Sequence, residues 1–289
     1  MQSINTIKKR IHSIEAIKKI TSAMKLIASI KLKKQKKELT TITLFCKSFY
    51  NFFSCLLDEN LVNPKHHDKQ WKFDNNLYIV MTSSIGLCGS YNNNICRAIK
   101  AILKPHDHVV MIGQKGKKYF KNNNLNNFLI KSIDLSQEKD NIYDLFLALS
   151  YWCLNKYEEG KYKNIKIIYT KFVSAFKTEV QIIDFFSFRE KKIDNKKTNH
   201  NKIFSFDSPH ELIFKKILPY YFACLLYGSF NEAKISENVN RSNTMDLAAK
   251  NAKDLINELK LQFNKLRQNV ITKQINEVMS NIEVESNNE

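Results

Sequence analysis

The chain has 289 residues, a net charge of +18, 43% hydrophobic residues and 26% charged residues. That length allows one large domain or one domain with an extension. Its longest apolar runs fall well short of the roughly 18 residues that span a bilayer. Six glycines and four prolines leave long stretches free of helix breakers. The positive excess calls for an acidic partner, whether nucleic acid, anionic membrane or acidic protein. It is concentrated at the start: residues 1–37 carry eleven cations, Lys8, Lys9 and Arg10 among them, against Glu15 alone. The end is acidic, with Glu277, Glu283, Glu285 and Glu289. The cysteines at 46, 55, 88, 96, 153 and 224 show no CxxC spacing. They read as reduced, small apolar fillers in a cytosolic protein.

In chain order, the first predicted element is a helix from Ser3, its expected N-cap, to about Leu57. Ile4, Ile7, Ile11, Ile14, Ile17, Ile20, Met24 and Ile27 recur every three or four residues, which predicts one apolar stripe. A helix of that length needs another long helix to cover it. The middle of the chain, about 70–206, reads as a small α/β domain. Leu77–Thr82, Val109–Gly113, Ile165–Val173 and Val180–Phe188 are strand-like, and 91–103, 115–122 and 141–157 are helical in pattern. This alternation predicts a mostly parallel sheet. The polar stretch 189–203 reads as a surface loop.

The last predicted element opens at Ser208-Pro209-His210-Glu211, a capping box with proline at the first helical position. Pro219 should kink its early part. Ala252, Ile256, Leu259, Phe263, Leu266 and Val270 form a heptad seam, which shifts phase to Ile271, Ile275, Val278 and Ile282. The expected architecture is an α/β domain, 70–206, inserted between terminal helices 1–60 and 208–289 that pair as a long antiparallel coiled coil.

Three blocks in order, ITSAMKLIASIKLKK (20–34), LYIVMTSSIGLCGSYNNNI (77–95) and NAKDLINELKLQFNKLRQNVITKQINEV (251–278), resemble the γ subunit of F-type ATP synthases over nearly the whole chain. The resemblance implies a non-catalytic central rotor shaft, without cofactor, metal or catalytic residues. It would turn, one copy per hexamer, inside three α-type and three β-type nucleotide-binding subunits. An ε-type subunit and a membrane rotor ring would complete the complex on the cytoplasmic face of a bacterial membrane. Carried over by position, Met24 and Lys25 would face the acidic loop at the base of β. Arg267, Gln268 and Thr272 match a C-terminal cluster that bonds a loop of β. The pattern departs from the family at Ser84-Ile85, usually Asp-Arg, at Asp246, usually Lys, at Gln274, usually Glu, and at Asn281-Ile282, usually Gly-Ala. An alternative is therefore a γ-like shaft of a specialised F-type-like ATPase that serves gliding or surface machinery.

Other motifs are weaker. Gly113-Gln-Lys-Gly-Lys-Lys departs from the GxxxxGK[ST] phosphate loop and reads as a turn opening a basic helix. His66-His67-Asp68 and His106-Asp107-His108 lack a second cluster at zinc spacing and read as solvated loops. Cys88 reads as buried rather than reactive. A nucleic-acid-binding coiled coil and a stand-alone α/β enzyme are the competing function classes. The lysines around the N-terminal stripe lack the interleaved aromatics of a nucleic-acid surface.

Overall fold

A computed structural model describes residues 4–58, 75–135, 141–186 and 210–286. The elements are α1 (Ile4–Asp58), β1 (Asn76–Met81), α2 (Tyr91–Ile102), β2 (His108–Ile112), α3 (Gln114–Asn122), β3 (Leu129–Ile133), α4 (Ile142–Glu158), β4 (Asn164–Phe172), β5 (Thr178–Asp184) and α5 (His210–Ser286). Two compact units share them. One joins Met1–Ala28 to Ser242–Glu289, and the other is Ser29–Arg241. The expected caps at Ser3 and Ser208, the loop 189–203 and His66-His67-Asp68 lie outside the described residues. Pro219 sits inside α5, nine residues past its start at His210, and the helix assignment continues through it.

In the unit Ser29–Arg241 the sheet order is β3-β2-β1-β4-β5. β1 pairs parallel with β2 and with β4, β2 pairs parallel with β3, and only β5 is antiparallel. β1 is buried along its whole length because helices cover both faces. Its residues alternate between two cores. Leu77, Ile79 and Met81 face Phe146, Leu149 and Cys153 of α4 and Phe222 and Leu226 of α5. Tyr78 and Val80 face Ile95 and Ile99 of α2 and Phe120 of α3. Phe53 of α1 is fully buried in the first core and stacks on Tyr221 of α5, ring centroids 4.3 Å apart. This aromatic contact ties the end of α1 into the domain.

β3 was missed from the sequence. Its pattern, LIKSI, buries neither Lys131 nor Ser132, because it is an edge strand with no second strand beyond β2 in the sheet order. Its order apolar, apolar, polar, polar, apolar breaks strict alternation at Ile130 and Lys131, which is why periodicity gives no signal.

Two glycines set the approach of α3 to the sheet. Gly113 has φ +100°, and a Cβ there would stand 2.3 Å from the Thr82 carbonyl oxygen. A Cβ on Gly116 would meet Met111 Sδ at 2.3 Å. The first N–H groups of α3 are used inside the fold: Lys115 N donates to Ser83 O at 3.0 Å and Gly116 N to Thr82 Oγ1 at 3.1 Å. The Gly113–Lys118 segment is thus a strand-end turn opening a basic helix, and these amides are not directed at an anion.

The histidine-flanked Asp107 is equally committed. Its carboxylate accepts from Asn76 N at 2.8 Å, Asn76 Nδ2 at 3.1 Å and Lys104 N at 2.9 Å. It clamps the start of β1 to the turn before β2. Burial lowers the His108 pKa, so the neutral ring is favoured there.

In the other unit, α1 and α5 pair antiparallel. Ile7, Ile11 and Ile14 pack on Ala252, Ile256, Leu259, Phe263 and Leu266, while Lys25, farther along α1, meets Asp246, earlier in α5. The α5 heptads are those read from the sequence as far as Leu266; Val270 is exposed. The α1 stripe needs correction. The buried positions run Ile7, Ile14, Thr21 and Ala28, seven residues apart. Ile17, Ile20 and Ile27 leave that line and are each more than half exposed. Thr21 can occupy the seam because its hydroxyl bonds back to the Ile17 carbonyl at 3.0 Å.

Candidate partner interface

The surfaces that could engage other chains arise where the two helices fail to cover themselves. On α1 the row Ile17, Ile20, Met24 and Ile27 keeps the 3-4-3 spacing of a helical face. Met24 is half-buried, and the three isoleucines face out beside the seam. Leu26 is exposed as well. On α5 every residue from Arg267 to Met279 is exposed. That span includes Val270, Ile271, Ile275, Val278 and Met279, at 42% to 61% exposure. Isolated exposed hydrophobics are ordinary, whereas a run of five over ten residues is a candidate contact surface.

Arg267, Gln268 and Thr272 lie on this exposed span. Gln268 and Thr272 are one turn apart, and Arg267 stands one turn from Ile271, so the polar cluster and the apolar residues share an arc of the helix. An exposed guanidinium here can fork to a carboxylate or to carbonyl oxygens of another chain. Lys25 is placed differently. Its Nζ is 2.6 Å from Asp246 Oδ1, and Lys250 Nζ is 3.2 Å from Asp246 Oδ2. The Lys25 hydrogen bond, then that of Lys250, hold the Asp246 carboxyl below its ordinary range. The departure at Asp246 therefore has a partner within the chain. The two expected contact groups are separate: from Asp246 to Arg267 the helix rises about 32 Å, at ~1.5 Å per residue. Between the helices lies a basic groove lined by Lys18, Lys19, Lys253 and Lys260, with Glu15 its one acid.

Sequence reasoning missed Arg241, the hub of the other unit. Arg241 Nη2 is 2.6 Å from Glu237 Oε1, and its guanidinium donates to the carbonyls of Ile85 at 2.9 Å and Gly86 at 3.3 Å. Nη1 donates to Asn238 Oδ1 at 2.9 Å. Glu237 also holds Lys234 at 3.0 Å. These bonds fasten α5 to the turn after β1, beside the point where the strand order reverses between β1 and β4. In doubly wound sheets that crevice is the usual ligand site; here the chain's own arginine lies against its loop. The same turn holds the Ser84-Ile85 departure. Ser84 Oγ donates to Asp134 Oδ1 at 2.8 Å, and Gln114 Nε2 reaches Asp134 Oδ2 at 2.9 Å. The tight turn after the first strand was legible in the sequence; the arginine, eleven residues before the first heptad position at Ala252, carried no signal of its own. Nothing in spacing alone joins positions 241 and 85.

The chain is therefore of the class in which an α/β domain is inserted between two long helices that pair along one seam and leave apolar and basic residues uncovered. The family model described as ATP synthase matches residues 3–283. The ATP synthase gamma chain of Ureaplasma urealyticum is 38% identical over 96% of this chain and 98% of its own length. That of Malacoplasma penetrans is 35% identical over 97% and 98%. That of Mycoplasma genitalium is 33% identical over 96% and 99%. The chain belongs to the ATP synthase gamma chain family. In fold it resembles a chain of the Tetrahymena thermophila mitochondrial ATP synthase central stalk and c-ring structure, with TM-score 0.61 and 22% identity over 79% of this chain and 99% of that one. A chain of the Euglena gracilis mitochondrial enzyme gives TM-score 0.56 at 13% identity over 91% and 95%. No helix among the described residues is long and apolar enough to cross a membrane.

Proposed function

We propose that this chain is the central shaft of a rotary F-type ATPase, coupling nucleotide turnover in surrounding subunits to rotation and proton translocation. The observation that carries the reading is the exposed span Arg267–Met279, with five apolar side chains on a helix that has left the paired seam. A surface of that kind is stable in water only at some cost and gains by entering an apolar sleeve. The row Ile17, Ile20 and Ile27 on α1 asks for the same kind of cover. The groove of Lys18, Lys19, Lys253 and Lys260 fits an acidic loop of a partner. The chain itself then does no nucleotide chemistry; its partners are α- and β-type subunits, three of each around one copy, with an ε-type subunit and rotor ring at the cytoplasmic face of the membrane. The names borne by the relatives favour the ATP synthase over a specialised gliding or surface machine.

The test is recovery of the tagged full-length chain from its own cells. Two larger nucleotide-binding subunits in threefold excess are expected, and recovery only as a monomer or homodimer overturns the reading. Within the recovered complex, Arg267→Ala should reduce proton pumping relative to ATP hydrolysis. Losing a charge-assisted hydrogen bond weakens that contact by roughly 1.5–3 kcal/mol. Unchanged coupling would show that Arg267 does not make the proposed contact.

A further inference from the structure

Two cysteines far apart in sequence meet in the unit Ser29–Arg241. Cys224 Sγ on α5 lies 2.7 Å from Cys46 Sγ on α1. Cys46 Sγ is also 3.4 Å from the Cys224 carbonyl oxygen. Gly228, one turn after Cys224, leaves a notch beside this pair: a Cβ there would stand 3.5 Å from Cys46 Sγ. Both cysteines are free thiols. Cys46 is partly exposed and Cys224 is buried. We propose that Cys46 and Cys224 form a reversible dithiol–disulfide site, in which peroxide oxidises Cys46 and Cys224 resolves it into a covalent bond between α1 and α5.

The two thiols are unequal in a way that assigns their roles. Cys224 donates its S–H to Cys46; that bond holds the Cys46 thiol below its ordinary pKa and pushes Cys224 above its own. The thiolate is the nucleophile, so the accessible, hydrogen-bonded Cys46 attacks first. Its sulfur displaces one oxygen of hydrogen peroxide, giving a sulfenic acid and a hydroxide that takes up a proton as water. The Cys224 sulfur then attacks the sulfenic sulfur, the S–O bond breaks, and the departing oxygen leaves as a second water with the Cys224 proton. Two thiols and one peroxide become one disulfide and two waters. The other described cysteines are less suited. Cys88, Cys96 and Cys153 are buried, and burial raises each of their thiol pKa values, Cys96 to about 12. A disulfide at 46 and 224 would stop α1 and α5 from sliding past one another within this unit.

The experiment treats the full-length chain, alone and within complexes recovered from cells, with hydrogen peroxide and maps cysteines by mass spectrometry without reductant. A peptide joining Cys46 to Cys224 is expected, and dithiothreitol should separate it. In Cys224→Ser, Cys46 should accumulate as the sulfenic acid that dimedone captures. In Cys46→Ser, Cys224 should give neither the disulfide nor a dimedone adduct, with an unchanged circular dichroism spectrum as the check on folding. The proposal is overturned if Cys46 and Cys224 remain alkylatable after peroxide to the same extent as before, or if the disulfides that form join other cysteines. Dimedone capture at Cys224 rather than Cys46 would overturn the assignment of roles.

Discussion

Lys25 Nζ and Asp246 Oδ1 stand 2.6 Å apart and join α1 to α5. Asp246→Lys would set the new ammonium against Lys25 and beside Lys250. The variant should lower the helix-melting midpoint, and adding Lys25→Asp should restore most of the loss, because opposite charges again face each other. Both effects should shrink at high salt, where the screening length falls to about 3 Å at 1 M. The pH dependence has a fixed sign. The Asp246 carboxyl is held below its ordinary value by Lys25 and then Lys250. Its stabilisation is present above the unfolded carboxylate pKa of about 3.9 and is lost as pH falls through the lower folded value. The stability gap between the wild-type chain and Asp246→Asn should therefore close in acid.

Arg241 neutralises a carboxylate that is nearly out of solvent. The Glu237 side chain is 6% exposed and that of Arg241 11%. Arg241→Ala would leave Glu237 with Lys234 alone and strip the donors from the carbonyls of Ile85 and Gly86. A loss of about 3 kcal/mol is expected in denaturant unfolding of the full chain. Arg241→Lys should recover only part of it, because an ammonium cannot span Glu237, Asn238 and two carbonyls at once.

Gly116→Ala tests the close packing of α3. The added methyl would stand 2.3 Å from Met111 Sδ and 2.7 Å from Thr82 Oγ1. The expected cost is about 1–3 kcal/mol of overpacking, measured by denaturant unfolding. Met111→Ala is itself a buried large-to-small change costing about 2–5 kcal/mol, so the relief is read as a double-mutant coupling, which should be smaller than the full Gly116→Ala cost because the Thr82 contacts remain.

The two faces of α1 should separate by mutation. Ile14 is in the seam and Ile20 is more than half exposed. Ile14→Ala should destabilise the helix pair by about 2–4 kcal/mol, followed by helical circular dichroism or hydrogen exchange. Ile20→Ala should leave the isolated chain within about 0.5 kcal/mol of wild type. Binding assays with the recovered partner subunits should reverse that order, with Ile20→Ala the weaker binder.

The α/β domain was readable because its strands carry their own signal. LYIVM and HVVMI are buried on both faces, and such strands read as continuous apolar runs. LIKSI at the edge does not. The helix pair was readable as a pair but not in phase. A stripe read from apolar residues alone follows Ile17, Ile20 and Ile27, whereas the seam passes through Thr21 and Ala28, a self-bonded hydroxyl and a small side chain. Isoleucines left exposed look the same in sequence as isoleucines packed in the core. For the contact cluster, a place on the exposed face of α5 could be inferred, whereas the neighbouring Ile271, Ile275 and Val278 read as a shifted seam and are exposed. Lys25 shows the limit most clearly, since its nearest acid is 221 residues away in the chain.

The amides that open α3 donate to Ser83 O and Thr82 Oγ1, and Arg241 lies against the loop beside the reversal of strand order. In an α/β sheet those are the groups that would otherwise sense a phosphate. A transmission part whose own rigidity rose and fell with the concentration of fuel would change its gearing as the cell's energy charge changed. By spending these donors on itself, the domain closes the start of α3 and the turn after β1 with its own groups, so the firmness of that end is set by the chain itself.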